Sequence, residues 1–412
     1  MRDKKRDSKY KNSNSKNILK KGSSVRKKKK FNIKSMLSEF KILSLKSNMD
    51  LPFLFLVLTI LVIGLVMMFS ASYPNAYYLH KGDSFYFIKN QVVFAIMGVI
   101  AMIAISHIDY ACFHRWAVPI LCVSFFLLVI VLLMPARNGV HRWVQLGSFS
   151  FQASEITKFA IVVSFAHFIN LNFQRMGTFK YGILPYLIIL VPTAILLALE
   201  PHISCTAIVV LLAAGMLFVG GVQLKWFGMV LGAIASAILY LVLFTKKLTY
   251  ANNRISGWLD PFSPAAGVDT WQTRQGLYAI GSGGLWGLGL GNSRQKYLYI
   301  PEPQNDFIFA VVCEELGFIG AVIILLLFAM LVWRGITISM HAKDKFGVLL
   351  GVGLTAQVGL QVILNIAVVT NTIPNTGISL PFFSYGGTSL LMLLAQMGVV
   401  LSISRTANIE KA

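Results

Sequence analysis

The chain has 412 residues, 56% hydrophobic and 13% charged, with a formal net charge of +21 and a mean hydropathy of +0.68. That balance excludes an ordinary soluble globular domain. It reads as a polytopic membrane protein, because runs near the ~20 apolar residues needed to cross a bilayer recur from Leu51 onward.

Residues 1–47 carry 17 Lys or Arg against Asp3, Asp7 and Glu39, a net +14 that leaves +7 for the rest of the chain. The basic charge is therefore a tail. Rich in Lys, Ser and Asn and without apolar periodicity, it reads as largely disordered. Beside a first apolar segment, it is expected to stay in the cytoplasm and attract anionic lipid. A nucleic-acid partner is not expected, and the following apolar run is too long for a cleavable signal peptide.

Ten spans are expected, at 51–70, 90–106, 117–134, 154–170, 183–199, 204–222, 228–244, 307–333, 346–369 and 382–403. The fold class is all-α, a polytopic membrane protein with about ten transmembrane helices and a long extracellular loop between the seventh and eighth. The domains are the tail 1–47, a transmembrane domain 48–405 containing the loop 245–306, and a cytoplasmic C-terminus 406–412. Ten crossings put both ends in the cytoplasm. Connections 71–89, 135–153, 200–203 and 245–306 then lie outside, where Arg137, Arg142, Lys246, Lys247, Arg254, Arg274, Arg294 and Lys296 run against the positive-inside trend. Something anionic outside would explain them, although a long loop is partly exempt from the rule. Cys112, Cys122, Cys205 and Cys313 lack metal-like spacing and read as buried, inert thiols.

Within the second outer loop and fourth span, Glu155 and Lys158 stand three apart on one helix face. They read either as an ion pair that lets both charges tolerate burial, or as part of a polar cavity where Lys158 and Arg142 hold a phosphate and Glu155 orients Lys158. At the fifth-to-sixth turn, Pro201 removes a helix donor between Glu200 and His202, so freed backbone groups must be satisfied internally or face a water-filled cavity. His202 also fits a satisfied interfacial residue. Glycines 281, 283, 284, 287, 289 and 291 match no nucleotide-binding fingerprint. They point to a tight or re-entrant backbone lining a cavity, preceded by an amphipathic interfacial helix at 269–280.

The stretch GNSRQKYLYIPEPQNDFIFAVVCEE, 291–315, packs Arg294, Lys296, Glu302 and Asp306 just before an apolar run. Ionisable groups at such a boundary mark a functional site by default; for Asp306 the plainer role is a helix N-cap, compatible with catalysis. Last, NTIPNTGISLPFFSYGGTSLL denies a regular helix until the tenth span is under way. There Ser384, Tyr385, Gly386 and Gly387 either offer donors to an anionic head group or merely admit the chain to the helix.

Three blocks carry a family resemblance: RW…FQASEITK at 142–158, GLGLGNSRQK…IPEPQNDFIFAVVCEELG at 287–317, and LPFFSYGGTSL at 380–390. The chain resembles the SEDS (shape, elongation, division and sporulation) family of membrane glycosyltransferases over 51–405, and its GNSRQK and PEPQNDF forms are closer to the FtsW and SpoVE branch than to RodA. It departs from the family where Glu200, Pro201, His202, Ile203 and Ser204 replace the frequent Gln-Pro-Asp-Leu-Gly, and where Ala153 replaces Pro. An acidic role at that turn is thereby in doubt at His202, although Glu200 can supply one.

The resemblance implies polymerisation of lipid II on the outer face of the cytoplasmic membrane in cell division, beside a class B penicillin-binding protein and other division or sporulation membrane proteins. Inverting transfer from an α-linked diphosphate needs one base for the acceptor hydroxyl and cations for undecaprenyl diphosphate. On this reading Asp306 is the base, and Arg142 and Lys158 steady the diphosphate. Glu155, Gln152, Arg294, Lys296, Glu302, Ser384, Tyr385, Gly386 and Gly387 complete the substrate-binding candidates. No metal ligand is assigned and no cofactor is established; a divalent cation, Mg or Mn, on the diphosphate stays open. The rival readings are a lipid II transporter (flippase) and a non-catalytic division or sporulation scaffold.

Overall fold

The computed structural model describes residues 49–135, 142–146, 149–230, 232, 255–262 and 270–407. The expected seventh span at 228–244 falls almost wholly outside the described residues, as do the basic tail, Arg137, Lys246, Lys247 and Arg254.

Helix α1 is Leu51–Leu79, followed by α2 (Tyr86–Ser106) and α3 (Ala111–Leu133). Its start is set by Asp50, whose Oδ1 accepts from the Phe53 amide at 2.9 Å and whose carboxylate pairs with Arg334 at 2.8 Å. A short antiparallel hairpin comes next, β1 (Trp143–Leu146) against β2 (Phe149–Gln152), with Trp143 opposite Gln152. Helices α4 (Ala153–Asn172), α5 (Leu184–Leu199) and α6 (Ile203–Val219) lead to α7 (Trp271–Gly283). The chain closes with α8 (Ile308–Met340), α9 (Lys345–Val369) and α10 (Gly387–Ser404). Among the described residues, eight helical stretches are long and apolar enough to span, and α6 is a shorter apolar helix.

Helix–helix contact in lipid relies on close backbone approach rather than on expulsion of water, so small residues mark the interfaces. A Cβ on Gly398 of α10 would lie 2.6 Å from the Met102 carbonyl oxygen of α2, and one on Gly98 of α2 would lie 2.5 Å from Leu394. Apolar side chains on the outer faces, such as Leu133, Phe55 and Trp333, stay exposed because lipid, not water, is their neighbour.

Two helices outrun their expected bounds. Helix α1 continues through residues 71–79, where Ser72, Pro74, Asn75 and Ala76 are buried. Helix α8 is divided at Gly317, whose φ of 67° is non-helical. Before the break, Ile308 to Glu315 are all buried; beyond it, Phe318, Ile323, Leu326 and Met330 are exposed apolar side chains.

The break is filled by the glycine series, which forms the expected re-entrant backbone. Amides of Leu288 and Gly289 donate to the carbonyls of Glu314 and Glu315 at 2.9 and 3.0 Å, while the Phe318 amide donates to Gly284 at 2.9 Å. The Glu314 and Glu315 carbonyls and the Phe318 amide, released by the break, are thus met by the loop, as a low-dielectric setting demands. Helix α7 packs Gln275, Gly276, Ala279 and Gly283 inward and leaves Trp271 and Tyr278 outward, the two-faced helix that the sequence implied.

The segment between α9 and α10 also dips inward. Phe382 and Phe383 pack against Phe328 of α8, and the Phe382 carbonyl lies against Gly64, well inside α1. Of the four cysteines, Cys205 and Cys313 are buried, Cys112 is half-buried and Cys122 is exposed on the helix surface, so the expectation of burial fails at Cys122.

Gly317→Ala is expected to be poorly tolerated: its Cβ would stand 2.3 Å from the Gly287 amide nitrogen and 2.6 Å from the Leu285 carbonyl oxygen. A loss of about 2 kcal/mol or more, from positive φ together with the clash, should appear as a lower melting midpoint of the detergent-purified protein. An unchanged midpoint would contradict this account of the break.

Candidate functional site

The hairpin does what the sequence reading missed. It turns the chain back over the N-terminus of α4, so Arg142, just before β1, comes beside the α5–α6 turn. Its Nε donates to the Glu200 carbonyl at 3.4 Å and its Nη2 to the Pro201 carbonyl. A signal was available: WVQL and FSFQ flank Gly147-Ser148, a two-residue Gly-Ser link between strand-like runs. One turn into α4, Lys158 and Glu155 form a buried ion pair at 2.9 Å.

The same turn reaches the re-entrant segment ahead of α10. Ser204 Oγ donates to the Thr376 carbonyl, and Gly377, at φ +69°, presses on Asp306 so closely that a Cβ there would lie 2.9 Å from Oδ2. Asn365 of α9 completes the clamp, donating from Nδ2 to the Asp306 carbonyl at 2.9 Å and to that of Ile378 at 2.6 Å. Arg142, Lys158, the 200–204 turn, Gly377 and Asp306 therefore line one hollow. Around it, several buried polar atoms have no protein partner among the described residues: both Glu200 carboxyl oxygens, His202 Nδ1, Asn305 Oδ1 and Thr376 Oγ1. Such groups are normally met by water or a ligand.

The electrostatics follow from this crowding. Burial, then the nearby Glu302, raise Asp306 to about 6, with Arg142 pulling the other way. Asp306 keeps an accessible face, so at neutral pH it is an ionised carboxylate that readily takes a proton. Burial pushes Glu200 up to about 8 against the pull of Arg142. His202 is held down to about 3 by burial, by Arg142 and by Lys158, hence neutral. Asp306 does not cap α8: Phe307 occupies the cap position, and no side chain caps that terminus.

Other expected site residues take different places. Gln152 ends β2 opposite Trp143, half-buried. Glu302 is exposed and accepts from Asn305 Nδ2 at 2.7 Å. Arg294 is exposed on the re-entrant loop, and its amide donates to Glu314 Oε1 at 3.0 Å. Lys296 is wholly buried, its Nζ held by Glu315 Oε1 at 2.8 Å, the Gly291 carbonyl at 2.7 Å and Ser70 Oγ at 3.1 Å. Lys296 is thus an internal brace between the loop, α1 and α8. The Ser384 block is likewise occupied. Ser384 Oγ donates to the Asn305 carbonyl at 2.7 Å, the Tyr385 amide to the Gln304 carbonyl at 2.8 Å, and the Gly386 amide to Gln91 Oε1 at 3.2 Å. Gly387 leaves room for the Phe94 ring, which a Cβ would meet at 2.2 Å. These donors position the residues ahead of Asp306 and are not spare for a head group.

Glu314 and Glu315, which the sequence reading left without a role, are the hub beneath them. Glu315 also accepts from Ser70 Oγ at 2.7 Å and the Gly291 amide at 3.0 Å; Glu314 accepts from Ser293 Oγ and the Gln295 amide. Among the described residues, no three His, Cys, Asp or Glu side chains gather in a way that could hold a metal ion.

A family model described as a cell cycle protein, FtsW/RodA/SpoVE, matches residues 51–409. The chain belongs to the FtsW/RodA/SpoVE family. It is 42% identical to the stage V sporulation protein E of Bacillus subtilis over 364 residues, covering 87% of this chain and 98% of that protein. It is 38% identical over 358 residues to the probable peptidoglycan glycosyltransferase FtsW of Trichlorobacter lovleyi, with 86% and 93% covered. A chain of a solved peptidoglycan synthase complex, described in terms of the coordination of polymerization and crosslinking, superposes with a TM-score of 0.72 at 26% identity, covering 87% of this chain and 98% of that one. The rod shape determining protein RodA of Thermus thermophilus, at 24% identity and a TM-score of 0.63, covers 88% and 98% and supports the fold. The FtsW/RodA/SpoVE assignment thus rests on nearly the whole transmembrane region, including every element that lines the hollow.

Because the Lys296–Glu315 pair is fully buried, removing one partner strands the other charge. Lys296→Met or Glu315→Gln alone should cost about 3–5 kcal/mol, whereas Lys296→Met with Glu315→Leu should cost less than the two losses added. Melting midpoints of the three detergent-purified proteins check this; additive losses would refute the pairing.

Proposed function

We propose that this protein is a peptidoglycan glycosyltransferase that polymerises lipid II on the outer face of the cytoplasmic membrane, by inverting transfer. The observation that carries the reading is Asp306, an accessible carboxylate of raised pKa within the electrostatic reach of Arg142, in a chain whose FtsW relatives bear that activity in their names.

In this mechanism Asp306 takes the proton of the acceptor 4-hydroxyl as its oxygen attacks the anomeric carbon. The bond from that carbon to the diphosphate oxygen breaks on the opposite face, inverting the α-linkage to β, and the leaving diphosphate carries the electron pair. Arg142, held on the α5–α6 turn through Nε and Nη2, and Lys158, with two ammonium protons beyond the one directed to Glu155, stabilise that charge where it develops. Glu155 orients Lys158. Glu302, by keeping Asp306 basic, acts through it. The class B penicillin-binding protein expected beside the enzyme fits the crosslinking half of the synthase complex that the chain resembles. Both termini lie in the cytoplasm in this arrangement.

The pH dependence follows in sign. Asp306 must be ionised, so polymerisation should fall as pH drops through about 6. Because its folded pKa lies above the ordinary carboxyl value of 3.8, ionisation opposes folding as pH rises between those two values. Asp306→Asn should therefore abolish glycan synthesis, by about 10²-fold or more, without lowering the melting midpoint at pH ~7. The check is a gel ladder of glycan chains made from lipid II by purified, membrane-inserted protein with its partner transpeptidase. A ladder retained by Asp306→Asn would remove the base assignment; none with any variant, alongside lipid II movement across vesicles, would favour a transporter.

A further inference from the structure

At the floor of the hollow lies a second group of buried polar atoms, which the mechanism does not use. Ser154 Oγ, Gln357 Oε1 and both ends of the Gln396 amide are buried with no protein partner among the described residues. They belong to α4, α9 and α10, which pack on one another inside the bundle.

Close contacts fix their level. A Cβ on Gly353 of α9 would lie 2.6 Å from Val162 of α4. The two helices run in opposite senses, because the start of α4 and the Asn365 end of α9 both meet the hollow. One turn nearer the hollow, Gln357 therefore stands level with Lys158, and Ser154 lies one turn further along the same face of α4. A Cβ on Gly351 would lie 3.1 Å from Ile403 of α10, and about two turns toward the hollow along that antiparallel pair Gln396 reaches the same level. On α10, Leu394 and Gly398 face α2, which turns Gln396 to the opposite side, where α10 packs on α9 and α4. Gln357, Gln361 and Asn365 share one face of α9, all buried, so a row of amides runs from this level to the Asp306 carbonyl that Asn365 holds.

Among the described residues, Lys158 Nζ is paired with Glu155 alone, at 2.9 Å. An ammonium has three protons to place, and leaving them unmet in buried surroundings is costly. Facing acceptors without protein partners are the setting that holds internal water.

We propose that α4, α9 and α10 enclose an internal water site at this level, and that Gln357 is through it a positioning residue for Lys158. Ordered water donates to Gln357 Oε1 and to the Gln396 amide oxygen and accepts a second ammonium proton; Glu155 keeps the first, and the third is left toward the diphosphate. Held from two sides, the ammonium need not reorganise as charge develops on the leaving group. The water site stands on the packing alone, and only the diphosphate rests on the functional reading above.

Two measurements on the full-length protein in detergent test this. The first is hydroxyl-radical footprinting by X-ray radiolysis, in which the radicals form from water itself. The buried sulfurs of Met216, beside Gly353, and Met397, next to Gln396, should oxidise several-fold faster than that of Met102, which is also buried but lies on the α2 side of α10. Gln357→Leu combined with Gln396→Leu should bring both down to the Met102 rate. The second is lipid II polymerisation with the partner transpeptidase. Gln357→Leu should lower kcat about tenfold, the worth of one hydrogen bond to a charged group, and leave KM within about twofold. Gln357→Asn, which keeps an amide oxygen, should recover most of kcat. The inference is overturned if Met216 and Met397 oxidise no faster than Met102 in wild type, a comparison that needs no variant to fold. It is equally overturned if the double variant leaves their rates unchanged, or if Gln357→Leu keeps the wild-type kcat or raises KM alone. Fast oxidation of both sulfurs in a wild-type protein that makes no glycan would keep the water site and sink the glycosyltransferase reading.

Discussion

The site depends on the brace between Lys296 and Glu315. An ammonium and a carboxylate, both without solvent exposure, are tolerable only because each has further partners: Ser70 and the Gly291 carbonyl on one side, the Gly291 and Ser293 amides on the other. Those partners come from α1, the re-entrant loop and α8, so the pair ties three segments at one point. Such a pair adds little to stability over a well-packed apolar alternative. What it contributes here is a fixed path for the chain from Gly291 to Asp306, with Glu314 holding the adjoining amides in the same way.

Irregular backbone in a membrane protein survives only where its polar groups are met by protein or water. Both interruptions in this fold obey that limit and both lead to the hollow. The break at Gly317 is met by bonds to the glycine loop, and Ser384, Tyr385 and Gly386 ahead of α10 are met by Asn305, Gln304 and Gln91. Among the described residues, buried polar atoms without a protein partner occur in several parts of the fold, and those of Glu200, His202, Asn305 and Thr376 are among them. These four share the neighbourhood of Asp306 and Arg142, where water or a polar ligand would meet them.

Inside that space, burial and charge compete. The same low-dielectric surroundings that raise Asp306 and Glu200 would push a carboxylic acid out of use altogether were it not for Arg142, which opposes the shift at both. Asp306 keeps an accessible face and stays basic enough to serve at neutral pH; Glu200 has none and remains an acid. Two carboxyls near one guanidinium are thus separated in role by access to solvent.

Much of this was legible in the chain itself. Hydropathy located the described spans, though not the full reach of α1 and α8, the Glu155–Lys158 spacing gave a pair that the structure realises, and the glycine series announced a tight backbone, because crossing length, helical pitch and the lack of a Cβ are local properties. Lys296, Ser384 and Tyr385 looked equally eligible for a ligand, and only their distant partners (Ser70, Asn305, Gln304) turned them into internal supports. The hollow itself joins residues from the hairpin, α4, the α5–α6 turn, α8 and the segment before α10. Their meeting depends on how helices pack at glycine contacts and on which buried atoms find partners, and those are relations between segments far apart in the chain, which no local pattern encodes.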